Sequence, residues 1–170
     1  MSSIAGDIVR KILISVIGAG AASDAEKETA REVGRLIAER GAVLVCGGLG
    51  GVMEAACRGA HSAGGLTVGL LPGDDPSSGN PEIDVPLPTG LGEARNVLVA
   101  RASDGVIAVG GALGTLSELA FALKKRLPVA ALGSWRLEAE RLPRDAVFLE
   151  ASTPAEAVGF VFEKIGERPR

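Results

Sequence analysis

Arg95 and Glu118 carry opposite charges and stand 23 positions apart, with a glycine turn between them: Gly110, Gly111, Ala112, Leu113, Gly114, Thr115. The turn follows an apolar run, Val106–Val109. It precedes a stretch in which Leu116, Leu119, Ala120 and Leu123 recur at helical spacing. Strand, glycine turn and helix start make an anion site. Unpaired N–H groups point outward, and small residues let a phosphate reach the backbone. Phosphate contact is assigned to Gly111, Ala112, Gly114 and Thr115. The competing reading is a tight turn that needs small residues for packing only.

Glu118 has two readings. As a catalytic carboxylate it would act on the ligand held by the glycine turn. As a structural residue it would close a capping box, Thr115-Leu116-Ser117-Glu118, and bond back to its own helix start. Arg95 either holds an anion or orients Glu118, or is a solvated helix arginine. His61, the only histidine, falls at a helix end and suits a capping or surface role. Cys46 reads as a small core residue at a strand end and Cys57 as a packed helix residue. Neither has a histidine partner placed by sequence, so neither is a nucleophile. Asp74 and Asp75 lie in a proline-rich loop without further ligand spacing, and no metal site is expected.

Alternating elements must position these groups. Ile12–Ile17, Ala42–Cys46, Leu66–Leu71, Val106–Val109, Val129–Leu132 and Ala146–Leu149 read as strands. A helix capped by Ser23, with Glu26 three residues on, runs to about Arg40 and stops at Gly41. Others cover Val52–Ala63, Leu91–Ala102, a stretch from about Thr115, and one from a Thr153 cap to Ile165. Pro72–Gly90 holds five of the nine prolines and breaks the rhythm, with a short edge strand expected at Ile83–Val85. Residues 1–10 read as a loose lead-in, and Glu167–Arg170 as a fraying end.

Strands alternating with helices give an α/β parallel sheet with helices on both faces. A 3-2-1-4-5 order puts the first strand beside Val106–Val109, and ligands bind at such a switch point. Two more glycine turns, at Gly18–Gly20 and Gly47–Gly51, gather at the same edge and add Gly18, Gly47, Gly48 and Gly51 to the candidate ligand site. The first is not a full G-x-G-x-x-G, and no acidic residue follows the second strand as a nicotinamide ribose requires. An ordinary nicotinamide dehydrogenase is therefore not expected, and without a Gly-x-x-x-x-Gly-Lys-Ser/Thr run neither is a P-loop ATPase.

The chain has 170 residues, enough for one domain over 1–170 with a sizeable core. It is 46% hydrophobic but 3% aromatic, so the core is aliphatic. Net charge of −3 and few aromatics exclude general nucleic-acid binding. No apolar run is long enough to span a membrane. Two cysteines without metal spacing point to reduced thiols and the cytoplasm. The high apolar share in a small chain points to a homodimer or higher homo-oligomer.

Arg95-Asn96 followed by Gly110-Gly111-Ala112-Leu113-Gly114-Thr115-Leu116-Ser117-Glu118 resembles the signature of the LOG-like Rossmann proteins, formerly "lysine decarboxylase-like". That signature is an Arg-Lys pair, then Pro-Gly-Gly-x-Gly-Thr-x-x-Glu. Gly50-Gly51-Val52-Met53-Glu54-Ala55, with Arg58-Gly59-Ala60 and Gly69-Leu70-Leu71-Pro72-Gly73, is most similar to the molybdenum-cofactor-carrier-like branch. The resemblance implies a Rossmann-like domain binding a small phosphorylated nucleotide or pterin. It implies Arg95 and Glu118 as a catalytic pair if the chain is a nucleoside 5′-monophosphate phosphoribohydrolase, a reaction needing no cofactor. It implies molybdenum cofactor as ligand if the chain is a carrier. Three positions depart from the pattern: Gly110 for Pro, Ala112 for Gly and Asn96 for Lys. The loss of a cation at Asn96 and the methyl of Ala112 favour binding over hydrolysis.

Overall fold

The computed structural model describes residues 10–168. The strands are β1 (Leu13–Gly18), β2 (Val43–Cys46), β3 (Thr67–Leu71), β4 (Val85–Pro88), β5 (Gly105–Val109), β6 (Val129–Leu132) and β7 (Phe148–Ala151). The helices are α1 (Asp24–Glu39), α2 (Val52–Ser62), α3 (Asn96–Arg101), α4 (Leu113–Lys124) and α5 (Pro154–Gly166). All seven strands form one parallel sheet in the order β4-β3-β2-β1-β5-β6-β7. The expected five-strand order is its interior, and two edge strands extend it. Chain direction reverses its spread at β1, which pairs with β2 on one side and β5 on the other.

Both faces of the sheet are covered, and every residue of β2 and β5 is buried. One core holds Val33 and Ile37 of α1, Ala56 and Cys57 of α2 and Val158 and Val161 of α5 against the sheet. The other holds Val99 of α3 and Leu119, Ala122 and Leu123 of α4. Helices α1 and α2 meet backbone to backbone. A methyl on Gly34 would stand 1.9 Å from the Ala56 carbonyl oxygen, and one on Gly59 1.8 Å from that of Arg31.

The Ser23–Glu26 capping box is present, and Gly41 ends the α1 region at φ +73°. Thr153 caps α5, its hydroxyl accepting from Glu156 N–H. Of the expected lead-in, residues 1–9 lie outside the described residues, as do the last two residues of the expected fraying end.

Four expectations need correction. The edge strand lies at Val85–Pro88 rather than Ile83–Val85. Thr89 N–H donates to the Leu71 carbonyl, so residues of its parity face β3 and the nitrogens of Pro86 and Pro88 face outward. Proline is tolerated on an edge in that orientation. The last strand starts at Phe148 because Ala146 N–H is held by Pro143 in a turn. The segment Leu91–Ala102 divides into a 3-10 turn, Gly92–Arg95, and α3, because Gly92 takes φ +55°. Helix α4 begins two residues early, at Leu113, with Ala112 as its N-cap.

Candidate functional site

The early start of α4 removes the capping reading of Glu118. Thr115 lies inside the first turn, and no side chain caps the helix. Its first N–H groups therefore lack the usual partners. The buried side of α4 carries Thr115, Glu118, Leu119, Ala122 and Leu123, whereas Ala120 is exposed. A carboxyl thus stands in the buried stripe of the helix, where an apolar side chain is the rule.

Gly18, Arg95, Asn96, Ala112, Gly114, Thr115 and Glu118 line one cavity of about 410 Å³ at the carboxyl edge of β1 and β5. That volume lies in the range of about 300–1,000 Å³ common for small-molecule sites. A larger groove, about 910 Å³, opens between the starts of α1 and α2. Its Lys27, Arg31 and Arg58 are paired with its own Asp24, Glu28 and Glu54. It holds no buried charge, so the smaller cavity is the better candidate.

Arg95 is 6% exposed. Its Nη1 donates to the Gly47 carbonyl at 2.5 Å and to the Leu70 carbonyl at 2.9 Å. It ties the β2–α2 turn to the end of β3. Its Nε is buried and has no partner among the described residues. Burial pushes the Arg95 pKa down, and the nearby Glu118 and Cys46 charges oppose that. Glu118 is 7% exposed. Burial raises its pKa to about 7, against the pull of Arg95. The two side chains share the cavity without a direct ion pair among the described residues.

The glycine turn before α4 has its own supports. Gly110 and Gly111 take φ +54° and +121°. Proline, locked near −65°, cannot adopt the first, so the Gly110 departure goes with a different backbone here. A methyl on Gly111 would stand 2.6 Å from Thr115 Cβ, so the turn closes directly over Thr115. Asn96 Nδ2 donates to Ser117 Oγ at 3.3 Å, and Ser117 Oγ donates to the Gly114 carbonyl at 2.7 Å. Asn96, the residue in place of lysine, therefore helps hold the turn.

Gly47, Gly48, Gly51 and Gly111 do not line the cavity; they build around it. A methyl on Gly47 would lie 2.1 Å from Arg95 Nη1. Gly48 and Gly51 have positive φ, and a methyl on Gly51 would meet the Ala19 and Gly20 carbonyls at 2.4 Å. Cys46 and Cys57 are buried with their sulfurs 3.6 Å apart. The Cys57 thiol is pushed up by its bond to Cys46 and by burial. His61 bridges Glu82 and Asp84 at 3.1 Å each, away from the cavity, and pins the approach to β4.

The sequence reading missed Met53, Pro72, Gly92 and Glu93 in the lining. It also missed Trp135, whose Nε1 donates to the Ala112 carbonyl at 3.1 Å. The available signal was a lone tryptophan two residues after a glycine that follows a strand.

A model described as the SLOG cluster4 family matches residues 11–158. The structure of a molybdenum cofactor binding protein from the phototrophic bacterium Rippkaea orientalis is 40% identical, with TM-score 0.84, over 92% of this chain and 98% of that one. The molybdenum cofactor carrier protein of Chlamydomonas reinhardtii is 33% identical, with TM-score 0.79, over 93% and 100%. An uncharacterized protein of Archaeoglobus fulgidus is 50% identical over 119 residues, 70% of this chain and 78% of its own length.

Proposed function

Since the chain belongs to the SLOG cluster4 family, with the LOG-like, carrier-like fold of its structural neighbours, we propose that it binds and carries molybdenum cofactor, a phosphorylated pterin. The observation that carries this reading is the use of Arg95. Its Nη1 is committed to two backbone carbonyls, so it acts as a buried strut rather than a free catalytic cation.

The residues fit such a cargo. The uncapped start of α4 offers backbone N–H groups and a positive dipole end to the phosphate. The unpartnered Arg95 Nε adds a buried donor in the wall of the same cavity. Asn96 and Ser117 hold the turn in shape, and Glu118 offers a carboxyl that takes either protonation state near neutral pH. The Mo-bearing part of the cargo brings its own reactivity; this chain holds and shields it. Homodimers are part of the proposal, because Leu49, Leu91 and Leu113 are exposed around the cavity.

The test is anaerobic loading of the purified chain with molybdenum cofactor, followed by gel filtration and transfer to an apo-molybdoenzyme. The cofactor is expected to co-elute and to restore the acceptor's activity. Free cofactor separating fully from the protein overturns the reading.

One observation favours a second reading, cleavage of a nucleoside 5′-monophosphate. Glu118, poised near pH 7 inside a phosphate-type cavity, suits acid–base work. That reading requires release of free base from adenosine, guanosine or cytidine monophosphate, abolished by Glu118→Gln.

A further inference from the structure

We propose that Trp135 is a positioning residue for the phosphate cradle. The inference rests on the carrier reading above, and in particular on phosphate binding at the start of α4.

Ala112 is the N-cap of α4, and its carbonyl accepts two hydrogen bonds. One comes from Leu116 N–H at 3.1 Å, the first bond of the helix. The other comes from the indole N–H of Trp135, also at 3.1 Å, from the β6–β7 connection. Two residues on, the Gly114 carbonyl accepts from Ser117 Oγ at 2.7 Å. Both side-chain bonds consume acceptors, and neither consumes an N–H.

These acceptors have a particular placement. The Ala112 carbonyl belongs to the same peptide plane as Leu113 N–H, and the Gly114 carbonyl to that of Thr115 N–H. A donor on the oxygen of an amide polarises the whole unit and strengthens its N–H as a donor. Trp135 thereby sharpens Leu113 N–H, and Ser117 sharpens Thr115 N–H. The two bonds also fix a turn that otherwise rests on Gly110, Gly111 and Gly114. Fixing it in advance lowers the ordering cost when an anion binds. A buried donor without a partner, Arg95 Nε, stands independently in the wall of the same cavity.

Trp135 is 36% exposed and is the only tryptophan in a chain without tyrosine. Its removal opens no deep cavity, and its indole gives one readable signal. The experiment titrates inorganic phosphate into ¹⁵N-labelled full chain, wild type and Trp135→Phe. It follows the Leu113, Gly114 and Thr115 amides, the indole N–H, and stability in urea.

In wild type the three amides and the indole N–H shift together with phosphate. In Trp135→Phe the phosphate Kd rises roughly five-fold, the worth of one hydrogen bond. The Leu113 amide proton moves upfield even without phosphate, and the urea midpoint holds. An unchanged Kd, or a midpoint that falls in step with affinity, overturns the positioning role and leaves the carrier reading standing. Wild-type amides at 113–115 that ignore phosphate overturn the cradle itself, and this inference with it. If the variant does not fold, the wild-type indole N–H decides: no shift at saturating phosphate overturns the role.

Discussion

Arg95 Nη1 lies 2.5 Å from the Gly47 carbonyl oxygen, so the one cation among the described residues that line the cavity is anchored to backbone of the β2–α2 turn. The same nitrogen reaches Leu70 at the end of β3. Arg95→Met removes both bonds and leaves two carbonyls short of a donor in a buried place. The expected loss is about 3 kcal/mol of folding stability, from the worth of hydrogen bonds to a charged donor. Urea unfolding at pH 7 measures it, and a loss under about 1 kcal/mol would contradict the strut assignment.

The strut and the glycine beneath it should behave as one unit. A methyl at Gly47 would lie 2.1 Å from Arg95 Nη1 and 2.9 Å from Met53 Sδ. Gly47→Ala is expected to destabilise wild type clearly and the Arg95→Met background much less. A double-mutant cycle reads the coupling directly. Strict additivity would show that the close approach is relieved without disturbing Arg95.

Glu118 makes stability depend on pH. Burial raises its pKa from 4.5 to about 7, so the folded chain resists its ionisation more than the unfolded chain does. Stability is therefore fully present below about pH 4.5 and falls as pH rises through 7. The gap between those two values is worth on the order of 3 kcal/mol. Glu118→Gln cannot ionise. It should match wild type near pH 4.5 and exceed it at pH 8, as unfolding curves at the two pH values will show. Equal stability at pH 8 would mean the carboxylate is better solvated than its burial indicates.

His61 has a dependence of the same sign but a different cause, attraction to carboxylates rather than burial. Partial burial lowers its pKa, but bonds to Asp84 and Glu82 outweigh that and raise it overall. Its contribution is fully present below the ordinary histidine value and is lost as pH rises through the raised one. His61→Gln should therefore cost more stability at pH 6 than at pH 9. Proteolysis within residues 72–90 offers a second readout, because His61 pins Glu82 and Asp84. A pH-independent difference would remove the charged form from the account.

Much of this was legible in the sequence. The apolar runs and glycine turns gave the strand order, because a parallel sheet buried on both faces needs near-continuous apolar strands. Arg95 and Glu118 do meet in one cavity with Gly114 and Thr115. The start of α4 was misread, because a Thr-x-x-Glu spacing carries the same letters whether Thr115 caps or lies one turn inside. Only the positive φ of Gly110 and Gly111 decides, and single-residue backbone angles are not written in residue types. Arg95 was expected to face an anion or Glu118. Its attachment to Gly47 and Leu70 depends on long-range packing that no local pattern encodes. Trp135 stayed invisible because it reaches the site from a connection with no motif.

The outer rim of β4 has a consequence for how copies of this chain can meet. An exposed strand normally offers a row of donors to any other strand, and many proteins guard against this with charge. Here the two outward nitrogens belong to Pro86 and Pro88, which have no hydrogen to give. This guard is covalent, so neither salt nor pH can switch it off. A strand docking on this side could give hydrogen bonds to the outward carbonyls but receive none from Pro86 or Pro88, so edge-to-edge pairing through β4 stays disfavoured at any salt or pH that leaves the fold intact.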